Sequence, residues 1–300
     1  MKATAPVYGG IEAGGTKWVC AVAGAGGDVL ATEVIPTTTP ETTIGAVVRF
    51  FGDRRPLAAI GVGTFGPVDV RPGSPTYGRI LATPKPGWAN TDVVFPLRAA
   101  LGVPVRLETD VNAAALGEWR RGAGVGLGSL AYMTVGTGIG VGAVVNDGLV
   151  HGLLHPEFGH IRIPHDPVRD PFPGCCPFHG DCLEGLASGE AMRRRWGRPA
   201  EHLDDESAWR LEAEYVALAV MNLTYTLSPE RIVVGGGVAE HPSLLPEVRA
   251  RLLGLAGGYP GPPLPADPET MNEYVTAPSL GDRAGVVGAV ELARAARPAP

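Results

Sequence analysis

Cys176, His179 and Cys182 place three soft metal ligands within seven residues, in the run Cys176-Pro177-Phe178-His179-Gly180-Asp181-Cys182. Thiolates and imidazoles at that density suit tetrahedral zinc. The segment around them is rich in Pro and Gly and has little to build a core of its own. His160 is the candidate fourth ligand, although His151, His155 and His165 lie close and Cys175 competes with Cys176. Four protein ligands leave no open position, so the predicted ion is structural. Its expected work is to order the loop carrying Glu157 and Glu184. Unconnected surface His and Cys are the other reading of the same residues.

A second candidate is Asp110, in Glu108-Thr109-Asp110-Val111-Asn112. It follows an expected strand and precedes an expected helix, where parallel sheets present reacting groups. A carboxylate there can take the proton of an attacking hydroxyl. The position equally suits an ordinary helix N-cap.

Three glycine clusters complete the set. Gly10-Ile11-Glu12-Ala13-Gly14-Gly15-Thr16-Lys17 is similar to the phosphate loop G-x-x-x-x-G-K-[ST] with its last two residues exchanged. That loop must feed a helix, whereas Trp18-Val19-Cys20-Ala21-Val22 are strand formers. The segment therefore reads as a β-hairpin, either an ordinary turn or one whose tip N–H groups approach a phosphate, with Thr16 and Lys17 adding a hydroxyl and a charge. Thr134-Val135-Gly136-Thr137-Gly138-Ile139-Gly140 is built the same way, and two such hairpins are what gripping a polyphosphate needs. Gly235-Gly236-Gly237, after a buried strand, either lets a nucleoside approach the backbone or caps a helix. Gly61-Val62-Gly63-Thr64-Phe65-Gly66 matches G-x-G-x-x-G, but Pro67, Pro72 and Gly73 deny the helix that a dinucleotide fold would open there.

The elements that must hold these residues follow from periodicity. Val7–Glu12, Trp18–Val22 and Val29–Val34 predict a meander of three short strands. Pro40-Glu41 opens a helix with an apolar stripe at Ile44, Val47, Val48 and Phe51. Leu57–Val62 is a buried parallel strand, Val103–Glu108 another, and Asn112–Arg121 a helix. In the second half Leu130–Val135 and Ile139–Val145 are strands, with a hairpin turn at Asn146-Asp147-Gly148. Asp205–Leu227 is a long helix stopped by Ser228-Pro229, Arg231–Gly237 a strand running into glycines, and Gly257–Pro268 a surface loop. A last helix, Asp282–Ala296, frays into Arg297-Pro298-Ala299-Pro300. The strand–glycine turn–strand unit recurs near the start of each half, as two similarly folded lobes would give. The expected N-terminal lobe is 1–113, with a C-terminal helix 283–297 packing back on it. The C-terminal lobe is 114–282 and contains the zinc-ordered loop 155–185.

Composition narrows the function. The 300 residues carry 25 Lys and Arg against 31 Asp and Glu, a net charge of −6, which argues against nucleic acid as partner. Gly122 to Asn146 lacks any charge and is long enough to cross a bilayer, but its many glycines favour two buried strands over a spanning helix. Four Cys are too few for a disulfide scaffold, and no basic-then-apolar leader follows Met1, so a reduced cytoplasmic protein is expected.

Further segments complete a pattern: Gly63-Thr64-Phe65-Gly66-Pro67-Val68-Asp69, Thr83-Pro84-Lys85-Pro86-Gly87-Trp88, Glu157-Phe158-Gly159-His160 and Cys176 through Gly185. With the first glycine loop they resemble the ROK family of sugar kinases, and within it the bacterial fructokinase branch, over nearly the whole chain. The resemblance implies an α/β fold of the actin-like ATPase (ribonuclease H-like) type, two lobes with a cleft between them. It implies ATP-dependent phosphorylation of a hexose, D-fructose to fructose 6-phosphate, with Asp110 as general base. Gly14, Gly15, Thr16 and Lys17 match the first phosphate loop, Thr137 and Gly138 the second, and Gly236 the adenosine motif. Glu157, His160 and Glu184 match positions that hold sugar hydroxyls, His160 being a zinc ligand as well. ATP, Mg2+ and structural Zn2+ on His160, Cys176, His179 and Cys182 are the implied cofactors, and a homodimer the implied assembly.

Three departures qualify the match. Many members have Asp at Glu12, Asn at Thr109 and a third Cys at His179. The His179 variant belongs with the fructokinase-like branch. The Thr109 change removes an amide that reads a glucose-type pyranose, a role Asn90 partly replaces. The family also includes repressors with an N-terminal helix-turn-helix, for which a first strand starting by Val7 leaves no room. The alternatives are a kinase for mannose, glucose or an amino sugar, polyphosphate in place of ATP, and a non-catalytic sugar-binding regulator of the same fold.

Overall fold

The computed structural model describes residues 6–54 and 56–296. In chain order the first elements are β1 (Val7–Ala13), β2 (Lys17–Ala23), β3 (Val29–Pro36), α1 (Pro40–Gly52), β4 (Leu57–Thr64), α2 (Val94–Leu101), β5 (Val105–Thr109) and α3 (Asp110–Arg121). Then come β6 (Leu130–Val135), β7 (Ile139–Val145), β8 (Gly148–Leu149), α4 (Leu183–Ala187), α5 (Gly189–Trp196) and α6 (Glu206–Leu227). The chain ends with β9 (Ile232–Gly235), α7 (Leu244–Ala256), α8 (Pro268–Tyr274), β10 (Val275–Thr276) and α9 (Ala284–Arg294).

These elements pack as two units. The first holds residues up to Val125, Leu149–His155 and those from Asp282 on. Its five-stranded sheet runs β3-β2-β1-β4-β5. The meander β1–β2–β3 is antiparallel, and β4 and β5 join it in parallel. The helix α1 forms where Thr39 caps its start, accepting the N–H of Thr42, and Pro40 presets the first turn. Its buried Ile44, Val47, Phe50 and Phe51 belong to the same core as Ile11, Ile60 and Trp18 of the sheet. Trp88 closes that core: its ring lies 5.5 Å from Trp18, and its indole N–H donates to the carbonyl of Thr38 at 2.9 Å.

The C-terminal helix belongs to this first unit and packs on β1, β4 and α3. The helix α3 stays with it, so the division falls after Val125 and not near residue 113. Glycine makes that crossing possible. A Cβ on Gly288 would lie on the backbone carbonyl of Ala113, and one on Gly117 on that of Ala284. The expected terminus of this helix at residue 297, and the fraying of Arg297 to Pro300, lie outside the described residues.

The second unit holds Gly126–Gly148 and Pro156–Gly281. Its strand order is β10-β9-β6-β7-β8. The uncharged stretch 122–146 becomes the antiparallel pair β6–β7, and no described helix is long and apolar enough to cross a membrane. Asn146 and Asp147, at φ 51 and 62, make the left-handed turn before β8. Asp205 caps α6 through the N–H groups of Ser207 and Ala208, and Val216, Val220 and Leu223 are buried along one side. Among the described helices, α2, α4, α5, α7 and α8 have no counterpart in the periodicity reading above.

Candidate active site

Asp110 is the first residue of α3, half-buried, directly after β5. Capping falls on its neighbour: Thr109 Oγ1 accepts the N–H of Asn112 at 3.1 Å. The N-cap reading of Asp110 is thereby corrected; its Oδ1 accepts the N–H of Val111 at 2.9 Å from one step inside the helix. Gly63 brings α3 close to β4, since a Cβ there would meet the Cβ of Ala113.

Two flanking groups were not among the residues picked from sequence as site residues. Glu108 Oε2 accepts from Asn112 Nδ2 at 3.1 Å, and Glu108 Oε1 lies 2.9 Å from His151 Nε2. The hydrogen bond that the His151 imidazole donates to the Glu108 carboxylate raises the His151 pKa. His151 thus serves Glu108 and not the metal cluster. On β1, burial pushes the Glu12 carboxyl up to about 7, with the nearby Asp110 charge adding to it and Lys17 opposing. Gly285 of α9 leaves the space that Glu12 occupies: a Cβ there would stand 2.5 Å from the Glu12 Cδ.

Both glycine-tipped turns join antiparallel strands, not a strand to a helix. Gly14, Gly15 and Thr16 link β1 to β2, closed by the Gly14 N–H to the Lys17 carbonyl at 3.0 Å. Gly136, Thr137 and Gly138 link β6 to β7, closed by the Gly136 N–H to the Gly138 carbonyl at 3.0 Å. Among the described residues the N–H groups of Gly15, Thr16, Thr137 and Gly138 make no backbone hydrogen bond. Gly236 follows β9 at φ 94, and a Cβ there would press on the carbonyl of Val135, so only glycine suits it.

In the second unit His160, Cys176, His179 and Cys182 converge, with their ligand atoms all within 4.8 Å of one another. The His160 Nδ1 lies 3.7 Å from Cys176 Sγ and 3.6 Å from Cys182 Sγ, and the His179 Nδ1 lies 3.7 Å from Cys176 Sγ. A tetrahedral ion with Zn–S about 2.3 Å and Zn–N about 2.0–2.1 Å separates S and N by roughly 3.6 Å, so the donor set suits zinc. Burial pushes the Cys182 thiol up to about 11, so its thiolate needs a cation beside it. His165 instead meets the Asp170 carbonyl at 3.0 Å, His155 accepts the N–H of Val68 at 3.1 Å in the first unit, and Cys175 is outside the cluster.

The sugar-hydroxyl candidates adjoin this cluster. His160 turns its Nε2 toward Glu157 Oε2 at 4.0 Å while Nδ1 faces the sulfurs. Burial raises the Glu157 pKa, with His160 lowering it and Glu184 raising it. Glu184, two residues after Cys182, accepts the N–H of Ile139 at 3.0 Å. A Cβ on Gly138 would stand 2.7 Å from Glu184 Oε2, so this carboxylate lies directly on the second glycine turn. Asn90 is exposed in the first unit, in a left-handed conformation with φ 63.

A family model described as ROK family matches residues 8–296. The chain belongs to the ROK family. Among its ROK-type relatives, a fructokinase of Zymomonas mobilis subsp. mobilis is 44% identical over 305 residues, covering 99% of each chain. A fructokinase of Pediococcus pentosaceus is 39% identical over 97% of this chain and 98% of its own. Among solved structures, a ROK family glucokinase from Streptomyces griseus, in complex with glucose and AMPPNP, superposes with a TM-score of 0.76 at 28% identity, covering 98% of this chain and 100% of that one. The α/β fold expected from the motifs is therefore the one this ROK chain has.

Proposed function

We propose that the protein is an ATP-dependent fructokinase, transferring the γ-phosphoryl group of ATP to O6 of D-fructose. The observation that carries the proposal is the end-to-end likeness to fructokinases, at 44% and 39% identity. Asp110, at the strand-to-helix junction, supports it as the base that accepts the proton of the attacking hydroxyl. The transfer then moves the phosphoryl group in line from ADP oxygen to sugar oxygen. Glu157, Glu184 and the Nε2 of His160 hold sugar hydroxyls as acceptors and donor, and Asn90 adds an amide. Backbone N–H groups at Gly15, Thr16, Thr137 and Gly138, with the Lys17 ammonium, offset charge on the phosphates, while Gly14 closes the first turn on the Lys17 carbonyl. Gly236 gives the adenosine close access to the backbone. Mg2+, when bound, neutralises the phosphate oxygens. Zn2+, when bound by His160, Cys176, His179 and Cys182, fixes the loop that carries Glu157 and Glu184.

The test is a panel of fructose, mannose, glucose and amino sugars against ATP and polyphosphate, read by coupled ADP or sugar-phosphate detection. Fructose with Mg-ATP is expected to give the highest kcat/KM. Glucose outranking fructose would replace the acceptor, and sugar binding without any phosphoryl transfer would favour a regulator. Thr109 supports fructose over glucose, because a hydroxyl tied to the Asn112 N–H replaces an amide. The same reading makes the protein a cytoplasmic homodimer, to be checked by light scattering.

A further inference from the structure

At the amino end of β5, opposite to the end that carries Asp110, the first unit has a cavity of about 810 Å³. Its lining includes Tyr77, Phe95, Arg98, Val103, Val105 and Arg106. Three residues of extended strand, Leu107 to Thr109, lie between its lining residue Arg106 and Asp110, roughly 13 Å at about 3.3 Å per residue, so it is not part of the candidate active site.

Its charge balance is basic. Arg169, Arg193, Arg210 and Arg251 each hold a glutamate. Arg98 of α2 and Arg106 of β5 are exposed, come from different elements and have no carboxylate partner among the described residues. Asp92 also lines the cavity, but its Oδ1 is committed to the N–H groups of Val94 and Phe95 at 3.0 and 2.8 Å.

The remaining lining adds direction and apolar surface. The strand β5 is an edge strand, and Pro104 accepts from Ile60, so Val105 turns its backbone groups away from the sheet. The Leu107 N–H on that edge donates to the Tyr77 hydroxyl at 3.0 Å, which leaves the hydroxyl proton to donate onward. Phe95 exposes 68% of its surface beside these groups, and Val103 and Pro104 extend the apolar wall.

We propose that this cavity binds a small phosphomonoester whose body is apolar or carries a ring. Two guanidiniums and a phenol O–H supply donors for a dianion. The Phe95 ring and the valines take the organic part, and the volume suits a ligand of that size. The proposal is independent of which sugar the protein phosphorylates.

The test is calorimetric titration of phenyl phosphate into the full chain presaturated with fructose and a non-hydrolysable ATP analogue. Saturable one-site binding is expected. An Arg98→Gln/Arg106→Gln double variant should bind at least about tenfold more weakly, with melting temperature and turnover unchanged. Inorganic phosphate should bind at least about tenfold more weakly than the ester, because it lacks the apolar part. Absence of saturable binding, equal affinity in the folded double variant, or equal affinity for inorganic phosphate would overturn the proposal. If the double variant fails to fold, Phe95→Ser, which alters an exposed ring, serves in its place with the same expectation.

Discussion

Thr109 Oγ1 accepts the backbone N–H of Asn112 at 3.1 Å, so the residue before Asp110 caps α3. The acid is then held on the first helical turn by the strand end and the cap together. A carboxylate in that position is favoured by the positive end of the helix dipole.

Replacing the acid while keeping its shape separates chemistry from binding. Asp110→Asn is expected to lower kcat by about 10² to 10⁴, the usual share of a general base, with fructose still bound. Coupled ADP detection gives the rate and calorimetry the affinity. Near-normal turnover would remove Asp110 as the base. The folded state should be little affected, because the capping bond belongs to Thr109.

The cluster of His160, Cys176, His179 and Cys182 makes a separate forecast. Untreated protein should carry about one zinc per chain by elemental analysis, and chelation should lower its melting temperature. Cys182→Ser should lower both zinc content and stability, since a serine hydroxyl is a poor replacement for a thiolate. The KM for fructose should rise in the same variant, because Glu184 is two residues away on the ordered segment. Metal-free protein with an unaltered melting curve would end the zinc assignment.

How far these features were legible in sequence depended on the range of the interaction. The meander β1–β3 and its glycine turn were legible because strand alternation and turn chemistry are local. The clustering of Cys176, His179 and Cys182 was legible by their spacing, but four nearby histidines competed for the last place. Folding decided it by pairing His151 with Glu108, 43 residues away, and His155 with Val68, 87 residues away. The helix α2 escaped notice because it is only 8 residues long and holds Pro96 in its first turn. The helix α7 had a signal in Leu244, Val248, Leu252 and Ala256 at helical spacing, interrupted to the eye by Pro246 and Gly254. The boundary at 125 depended on Gly117 meeting α9, a contact from the far end of the chain.

The burial of Glu12 predicts a pH dependence of stability. Its carboxyl goes from an ordinary 4.5 in the unfolded chain to about 7 in the native one, chiefly through burial and then through Asp110. Between those values the native state keeps a proton that the unfolded chain has released. This contribution is therefore favourable below about 4.5 and is lost as pH rises through about 7. Glu12→Gln cannot ionise and should flatten the fall. Urea unfolding of the ligand-free protein at several pH values measures it, and an identical slope in the variant would refute the assignment.

The contact between the second glycine turn and Glu184 gives a final forecast. Glu184 Oε2 accepts the Ile139 N–H at 3.0 Å, and a Cβ on Gly138 would stand 2.7 Å from that oxygen. Gly138→Ala must therefore push the carboxylate aside or move the turn. Either shift disturbs the proposed sugar-hydroxyl acceptor and a proposed phosphate-facing N–H at once. The KM for fructose and the KM for ATP should both rise, by about tenfold or more, as expected when a charge-assisted hydrogen bond is displaced. The neighbouring change Thr137→Ser keeps a hydroxyl and meets no such obstacle, so its constants should stay close to those of the unaltered protein. Steady-state kinetics on both variants tests the pair. If Gly138→Ala matched Thr137→Ser, the glycine would serve the turn alone and Glu184 would have no part in holding the sugar.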